Sequence, residues 1–275
     1  MKPNGLRQLW STGRSAINGW LSLPNSITAE VMAAQGYDSL TIDLQHGLID
    51  YQQGLTMLQA LRYSDVTPLV RVPWLEPGII MKSLDAGAYG VICPMINTRE
   101  QAEKLVSYVR YAPEGTRSFG PTRAIYSAGS DYDREANAQI LCLAMVETQE
   151  ALDNLEDIIT TPGLDGIYIG PSDLTLSLTG TRYRSGFDRD EPEIIAVIQR
   201  ILKAAHGAGL RAALHCGMPA YAAQAVGWGF DMVTLGSDLR LMSAAAQASV
   251  QECRRQMGNA PQPSNPSGST PPPGY

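Results

Sequence analysis

Short aliphatic or β-branched runs alternate along this chain with stretches in which apolar residues recur every three or four positions. The first pattern suits strands covered on both faces, and the second suits amphipathic helices. Eight strands are predicted, over 18–22, 38–43, 67–72, 90–94, 139–147, 165–170, 211–216 and 230–236. Helices are predicted between them over 27–36, 51–63, 77–87, 98–110, 149–160, 192–208 and 218–227, with one more over 238–257. Thr148 stands as an N-cap before 149–160, and T-P-G closes that helix. Glycine separates several helices from the next strand, in A-Q-G-Y, D-A-G-A-Y-G, G-A-G-L and G-W-G-F.

Eight apolar strands joined by helices are most simply closed into a parallel barrel. The expected fold class is therefore α/β, a (β/α)8 TIM barrel, as a single domain over 1–257. Two connections, 111–138 and 179–191, exceed the usual length and suit lids or interface elements. The tail 258–275 is dominated by proline, serine and glycine, a composition that cannot build a core, and is expected to be disordered.

A net charge of −6, with no basic cluster beyond Arg254 and Arg255, argues against a nucleic-acid or anionic-membrane surface. A small-molecule partner is expected instead. The cysteines Cys93, Cys142, Cys216 and Cys253 form no C-x-x-C pair and read as thiols of a reducing compartment. No apolar run approaches the ~20 residues that span a bilayer, and the first residues lack a signal-peptide pattern. The cytoplasm is the expected location.

In such barrels the working groups stand at the C-terminal ends of the strands. Polar residues occur there at Asp43 and His46, Arg71, Glu147, Asp173 and His215. Each has a plain structural reading: Glu147 and Asp173 as helix caps or ion-pair partners, Arg71 as a core ion pair, His46 as a loop residue. Taken together they suggest more, because neighbouring strand ends would bring the two carboxylates close to each other. Oxygen-only ligation suits Mg²⁺ or Mn²⁺ better than Zn²⁺, with positions left for water and a chelating 2-oxo acid. Arg71 could bind a substrate oxyanion through its fork of donors. The amides of Gly170, Ser172 and Asp173 could hold a carboxylate. Asp43, three residues before His46, could accept from one ring nitrogen and raise the basicity of the other.

The chain has four lysines, Lys2, Lys82, Lys104 and Lys203, all at predicted helices or the terminus. An imine-forming aldolase needs a lysine at a strand end, so a Schiff-base mechanism is disfavoured. Glycine-rich phosphate-binding motifs are absent from the sequence.

The ordered motifs I-D-L-Q-H-G, V-R-V-P-W, L-D-A-G-A-Y-G-V-I-C-P-M-I-N-T, M-V-E-T-Q-E-A-L-D-N-L, G-L-D-G-I-Y-I-G-P-S-D-L and V-T-L-G-S-D resemble the HpcH/HpaI family. These are metal-dependent (class II) pyruvate aldolases, including enzymes for 4-hydroxy-2-oxoheptanedioate and 2-dehydro-3-deoxyglucarate. The resemblance covers about residues 15–255. It implies a hexamer whose last helix, here 238–257, is exchanged between subunits, and a Mg²⁺, Mn²⁺ or Co²⁺ ion. By match of motif it implies Glu147 and Asp173 as metal ligands, Arg71 beside the enolate oxygen, and His46 with Asp43 as the acid/base dyad. Asp85 matches an acidic residue reached across from a neighbouring subunit. The implied reaction is reversible cleavage of a 4-hydroxy-2-oxo acid to pyruvate and an aldehyde.

Three positions depart from the family pattern. Gln45 replaces a glutamate, Met145 replaces a glutamine, and His215 stands where well-known members carry an aliphatic residue, which suggests a different acceptor aldehyde. A lyase or decarboxylase on oxaloacetate-like acids would use the same enolate site. A catalytically silent homologue is the third alternative, against which the intact set His46, Arg71, Glu147 and Asp173 speaks.

Overall fold

The computed structural model describes residues 1–258, so the expected disorder of the tail falls, from residue 259 onward, outside the described residues. Eight parallel strands form a closed barrel: β1 (Ala16–Leu21), β2 (Ser39–Asp43), β3 (Thr67–Arg71), β4 (Gly90–Cys93), β5 (Leu141–Val146), β6 (Gly166–Ile169), β7 (Arg211–His215) and β8 (Met232–Ser237). Each pairs with its sequence neighbour, and β8 returns to β1 through Ala16–Met232 and Ile17–Val233. Every residue of β2 and β5 is buried, as strands covered on both faces require.

Strand alternation decides which side chains reach the barrel interior. Leu141, Leu143 and Met145 of β5 pack in one inner cluster with Trp20, Leu69, Ile92, Tyr168, Ala213 and Met232. A period of two therefore carries Glu147, Gly170, Arg71 and His215 onto the same inner face at the strands' C-terminal ends. A second, larger cluster fills the space between strands and helices, with Ile42, Val70, Val91 and Ile167 facing outward into it.

The outer helices include α2 (Ser26–Ala33), α3 (Tyr51–Ala60), α4 (Pro77–Asp85), α5 (Arg99–Val109), α11 (Pro192–Gly207), α12 (Pro219–Trp228) and α13 (Asp238–Gln256). They lie where the hydrophobic period places them. Four others were not predicted. Helix α1 (Gly5–Ser11) closes the N-terminal end of the barrel: Leu6 and Trp10 enter the inner cluster, and Trp10 Nε1 donates to the Asp231 carbonyl at 2.9 Å. Asn4 caps it, accepting from the amides of Leu6 and Arg7. The connection 111–138 contains α6 (Ala124–Ala128) and α7 (Tyr132–Gln139). After β6, G-P-S-D opens a full helix, α10 (Pro171–Thr179), with proline in its first turn.

The predicted helix 149–160 is two short ones, α8 (Gln149–Asp153) and α9 (Leu155–Ile159). They break at Asn154, whose side-chain amide donates to the Asn97 carbonyl at 2.9 Å and the Glu150 carbonyl at 3.1 Å. Among the described residues, no helix is long and apolar enough to cross a membrane.

Candidate active site

Asp43 and Arg71 face each other in the register of β2 and β3. The Arg71 guanidinium, 4% exposed, donates from Nε to Asp43 Oδ1 at 2.8 Å and from Nη2 to Asp43 Oδ2 at 2.6 Å. It lies 4.8 Å over the Trp20 ring, and Trp20 Nε1 donates to Asp43 Oδ2 at 3.2 Å. A planar fork gripped at two nitrogens has a fixed plane, which sets the direction of the third. Burial alone would raise the Asp43 carboxyl, but the charge and hydrogen bonds of Arg71, with the amides of His46 and Gln45, hold it below its ordinary value.

His46 follows β2 in a turn organised by the same carboxylate: Asp43 Oδ1 accepts from the amides of Gln45 at 3.0 Å and His46 at 3.2 Å. Gly47 permits this turn, since a side chain there would strike the Asp43 carbonyl oxygen at 2.3 Å. Burial and the Arg71 charge lower the His46 pKa, partly opposed by Asp43 and Asp173. The net effect favours the neutral ring, the form a general base requires.

Across the barrel mouth, Glu147 is 2% exposed, and its Oε1 accepts from the Met95 amide at 2.8 Å. Met95 delivers that amide from a left-handed backbone, φ 56°, uncommon for a residue with a side chain. The other oxygen, Oε2, crowds Gly170: a β-carbon at that position would sit 2.3 Å from it. Glycine at 170 is therefore a condition for Glu147 to occupy its place. Burial pushes the Glu147 carboxyl up to about 7, and the nearby Asp173 charge pushes the same way; the Met95 amide and Arg71 oppose them.

Asp173 stands in the first turn of α10, where its charge acts on both Glu147 and His46. The same turn presents the amides of Ser172 and Asp173, with positive helix-dipole character. Ser172 Oγ is buried and has no hydrogen-bond partner among the described residues. The structure thus brings Asp43, His46, Arg71, Glu147, Gly170, Ser172 and Asp173 to one end of the barrel. Among the described residues no group of three or more His, Cys, Asp and Glu side chains is placed to hold a metal. Glu147 with Asp173 is an oxygen-only pair, the donor set of an ion that keeps several waters. A buried carboxyl whose ionisation is this unfavourable without a partner fits the same group.

His215 ends β7 within the barrel. Its Nδ1 meets Tyr168 Oη at 2.9 Å, and its ring packs edge-on to Trp20, centroids 4.7 Å apart. Burial first, then Arg71, brings its pKa down to about 3. Asp85 ends α4, where its Oδ1 accepts from Arg117 Nη2 at 2.7 Å. Trp20, Met95, Tyr168 and Phe187 were not singled out from the sequence. Trp20 and Tyr168 carry a visible signal, an aromatic one residue before the end of a strand.

A family model described as HpcH/HpaI aldolase/citrate lyase matches residues 17–245. A hydroxypyruvate/pyruvate aldolase of Rhizorhabdus wittichii is 42% identical over 91% of this chain and 99% of its own length. A 5-keto-4-deoxy-D-glucarate aldolase of Shigella dysenteriae is 34% identical over 89% of this chain and 94% of its own. Among solved structures, a HpcH/HpaI aldolase/citrate lyase family protein from Burkholderia cenocepacia superimposes with a TM-score of 0.82 at 31% identity, covering 91% of this chain and 99% of that one. With a matching family model across most of the barrel and relatives this similar over nearly their whole length, the chain belongs to the HpcH/HpaI aldolase/citrate lyase family.

Proposed function

We propose that this protein is a pyruvate aldolase that reversibly cleaves a 4-hydroxy-2-oxo acid to pyruvate and an aldehyde. The observation that carries this reading is the convergence of an acidic pair, Glu147 and Asp173, a buried guanidinium, Arg71, and a neutral imidazole, His46, at one barrel mouth. Its relatives' names, a hydroxypyruvate/pyruvate aldolase and a 5-keto-4-deoxy-D-glucarate aldolase, support the same reaction class.

Glu147 and Asp173 would hold a divalent cation, Mg²⁺, Mn²⁺ or Co²⁺, which supplies positive charge beside the keto oxygen. The amides of the α10 first turn and Ser172 Oγ bind the substrate carboxylate. His46 takes the proton of the 4-hydroxyl group. As the C4–O bond becomes a carbonyl, the C3–C4 bond breaks and its electron pair moves to the keto group. The products are an aldehyde and a pyruvate enolate, whose oxygen is met by Arg71. Asp43 keeps the guanidinium in place and the His46 turn closed. Protonation at C3 by a proton from solvent then yields pyruvate, and His46 returns its proton to solvent. Among the described residues, none of the four lysines lies on a strand, so covalent imine chemistry has no candidate there.

Helix α13 carries exposed Leu239, Leu241, Met242 and Val250. Unpaired apolar side chains along one helix support assembly of several copies, a hexamer by resemblance, through this element. Asp85 would then face the site of a neighbouring copy.

The test is product analysis with a panel of 4-hydroxy-2-oxo acids under defined metal. Pyruvate with an aldehyde, abolished by EDTA and restored by Mn²⁺ or Mg²⁺, is the expected result. Carbon dioxide with pyruvate from oxaloacetate, and no aldehyde from any substrate, would replace the aldolase reading with a decarboxylase.

A further inference from the structure

Beside His46 the barrel mouth holds a small cavity of about 190 Å³, lined by Trp20, His46, Phe187, His215, Ser237 and Arg240 among others. Pockets for drug-sized ligands run to roughly 300–1,000 Å³, so this one suits only a short chain. It adjoins the imidazole that takes the 4-hydroxyl proton, which is where the aldehyde half of the substrate must lie.

Behind His215 a buried chain of hydrogen bonds crosses the barrel. Asn18 Oδ1 accepts from the hydroxyls of Ser39 at 2.8 Å and Thr41 at 3.1 Å, and Asn18 Nδ2 donates to Thr234 Oγ1 at 2.9 Å. Thr234 Oγ1 meets Tyr168 Oη at 2.6 Å, and Tyr168 Oη meets His215 Nδ1 at 2.9 Å. One direction satisfies every group: Thr234 donates to Tyr168, and Tyr168 donates to His215 Nδ1. The reverse direction leaves the Thr234 hydroxyl hydrogen without an acceptor among the described residues, at a site with no exposure. Nδ1 is therefore the accepting nitrogen, and the neutral ring carries its hydrogen on Nε2. The Phe187 ring, centroid 4.1 Å away, and the edge-on Trp20 ring hold the imidazole in this orientation.

We propose, on the aldolase reading given above, that His215 selects the aldehyde: its Nε2–H is a neutral donor for an oxygen substituent on the carbon next to the aldehyde carbonyl. Hydroxyaldehydes are preferred over unsubstituted aldehydes of similar size. Tyr168 and Thr234 are positioning residues that act through His215 by fixing its tautomer. Arg240, partly buried at the same cavity, adds a second donor for oxygen-rich acceptors; among the described residues no carboxylate lies within 4 Å of its guanidinium.

The test is aldol addition of pyruvate to glycolaldehyde and to acetaldehyde with Mn²⁺ present, read as the ratio of the two kcat/KM values. Loss of one donor to a substrate oxygen weakens its recognition by about tenfold. His215→Leu is expected to lower the glycolaldehyde to acetaldehyde ratio by about that factor, mainly through the KM for glycolaldehyde. His215→Gln, which keeps an N–H donor, should recover part of the ratio. Tyr168→Phe, which removes the bond that fixes the tautomer, should lower it in the same direction by less, and carries the test if His215→Leu fails to fold. Equal losses on the two aldehydes in the folded variants, or an unchanged ratio, overturn the role of His215 and leave the aldolase reading standing. A wild-type protein inactive with every aldehyde overturns both.

Discussion

Glu147 is the residue whose environment departs furthest from what a carboxylate prefers. Its ordinary value of 4.5 is raised to about 7 in the fold. Between these values the folded state binds more protons than the unfolded state, so this group's contribution to stability falls as pH rises through that window. Above pH 7 its ionisation costs on the order of 3 kcal/mol. In cation-free solution Glu147→Gln should therefore melt higher than wild type at pH 8, and the gap should close towards pH 5. Thermal melts at the two pH values decide this; a constant gap would mean Glu147 is not held against its ionisation. Mn²⁺ should raise the wild-type melting temperature and leave the variant's unmoved. Gly170→Ala, whose added carbon meets Glu147 Oε2, should lose both the Mn²⁺ shift and cleavage. At this scale the sequence was informative wherever a polar residue ended an apolar run, as with Asp43, Arg71 and Glu147. It was silent on Met95, because nothing in C-P-M-I-N-T signals a left-handed backbone that aims an amide at a carboxylate.

The strands were legible as elements because burial on both faces writes a continuous apolar run, and the long helices because α11 and α5 repeat their apolar face over several turns. Helices α1, α6, α8 and α9, of five to seven residues, are too short for a period to stand out, and α7 buries only Tyr132 and Ala136. Their positions are fixed by tertiary contacts: Asn154 breaks one predicted helix to reach the Asn97 carbonyl. Helix α1 is nonetheless structural, since it seals the barrel floor with Leu6 and Trp10. Trp10→Ala should cost about 3–5 kcal/mol, measurable by urea unfolding. A loss below about 1 kcal/mol would show that the floor closes without it. The chain of Asn18, Thr234, Tyr168 and His215 was illegible for another reason: Asn18 and Thr234, in contact through Asn18 Nδ2, are 216 positions apart.

For the whole molecule, the closed barrel explains why residues from β2, β3, β5, β6 and β7 share one site: parallel strands all end on the same rim. Helix α13 leaves Leu239, Leu241, Met242 and Val250 exposed. Replacing Leu241 and Met242 together by glutamate should shift the protein to smaller species in sedimentation velocity; an unchanged distribution would place the assembly surface elsewhere. The aldolase proposal requires this rim to stabilise a pyruvate enolate with Arg71 and a cation held by Glu147 and Asp173. Its most direct test needs no aldehyde: proton exchange at the pyruvate methyl group in D₂O, followed by NMR. Exchange that requires Mn²⁺ or Mg²⁺, stops with EDTA, and is lost in Arg71→Ala and Glu147→Gln is the predicted result. Exchange that persists in EDTA, or in both variants, would contradict it.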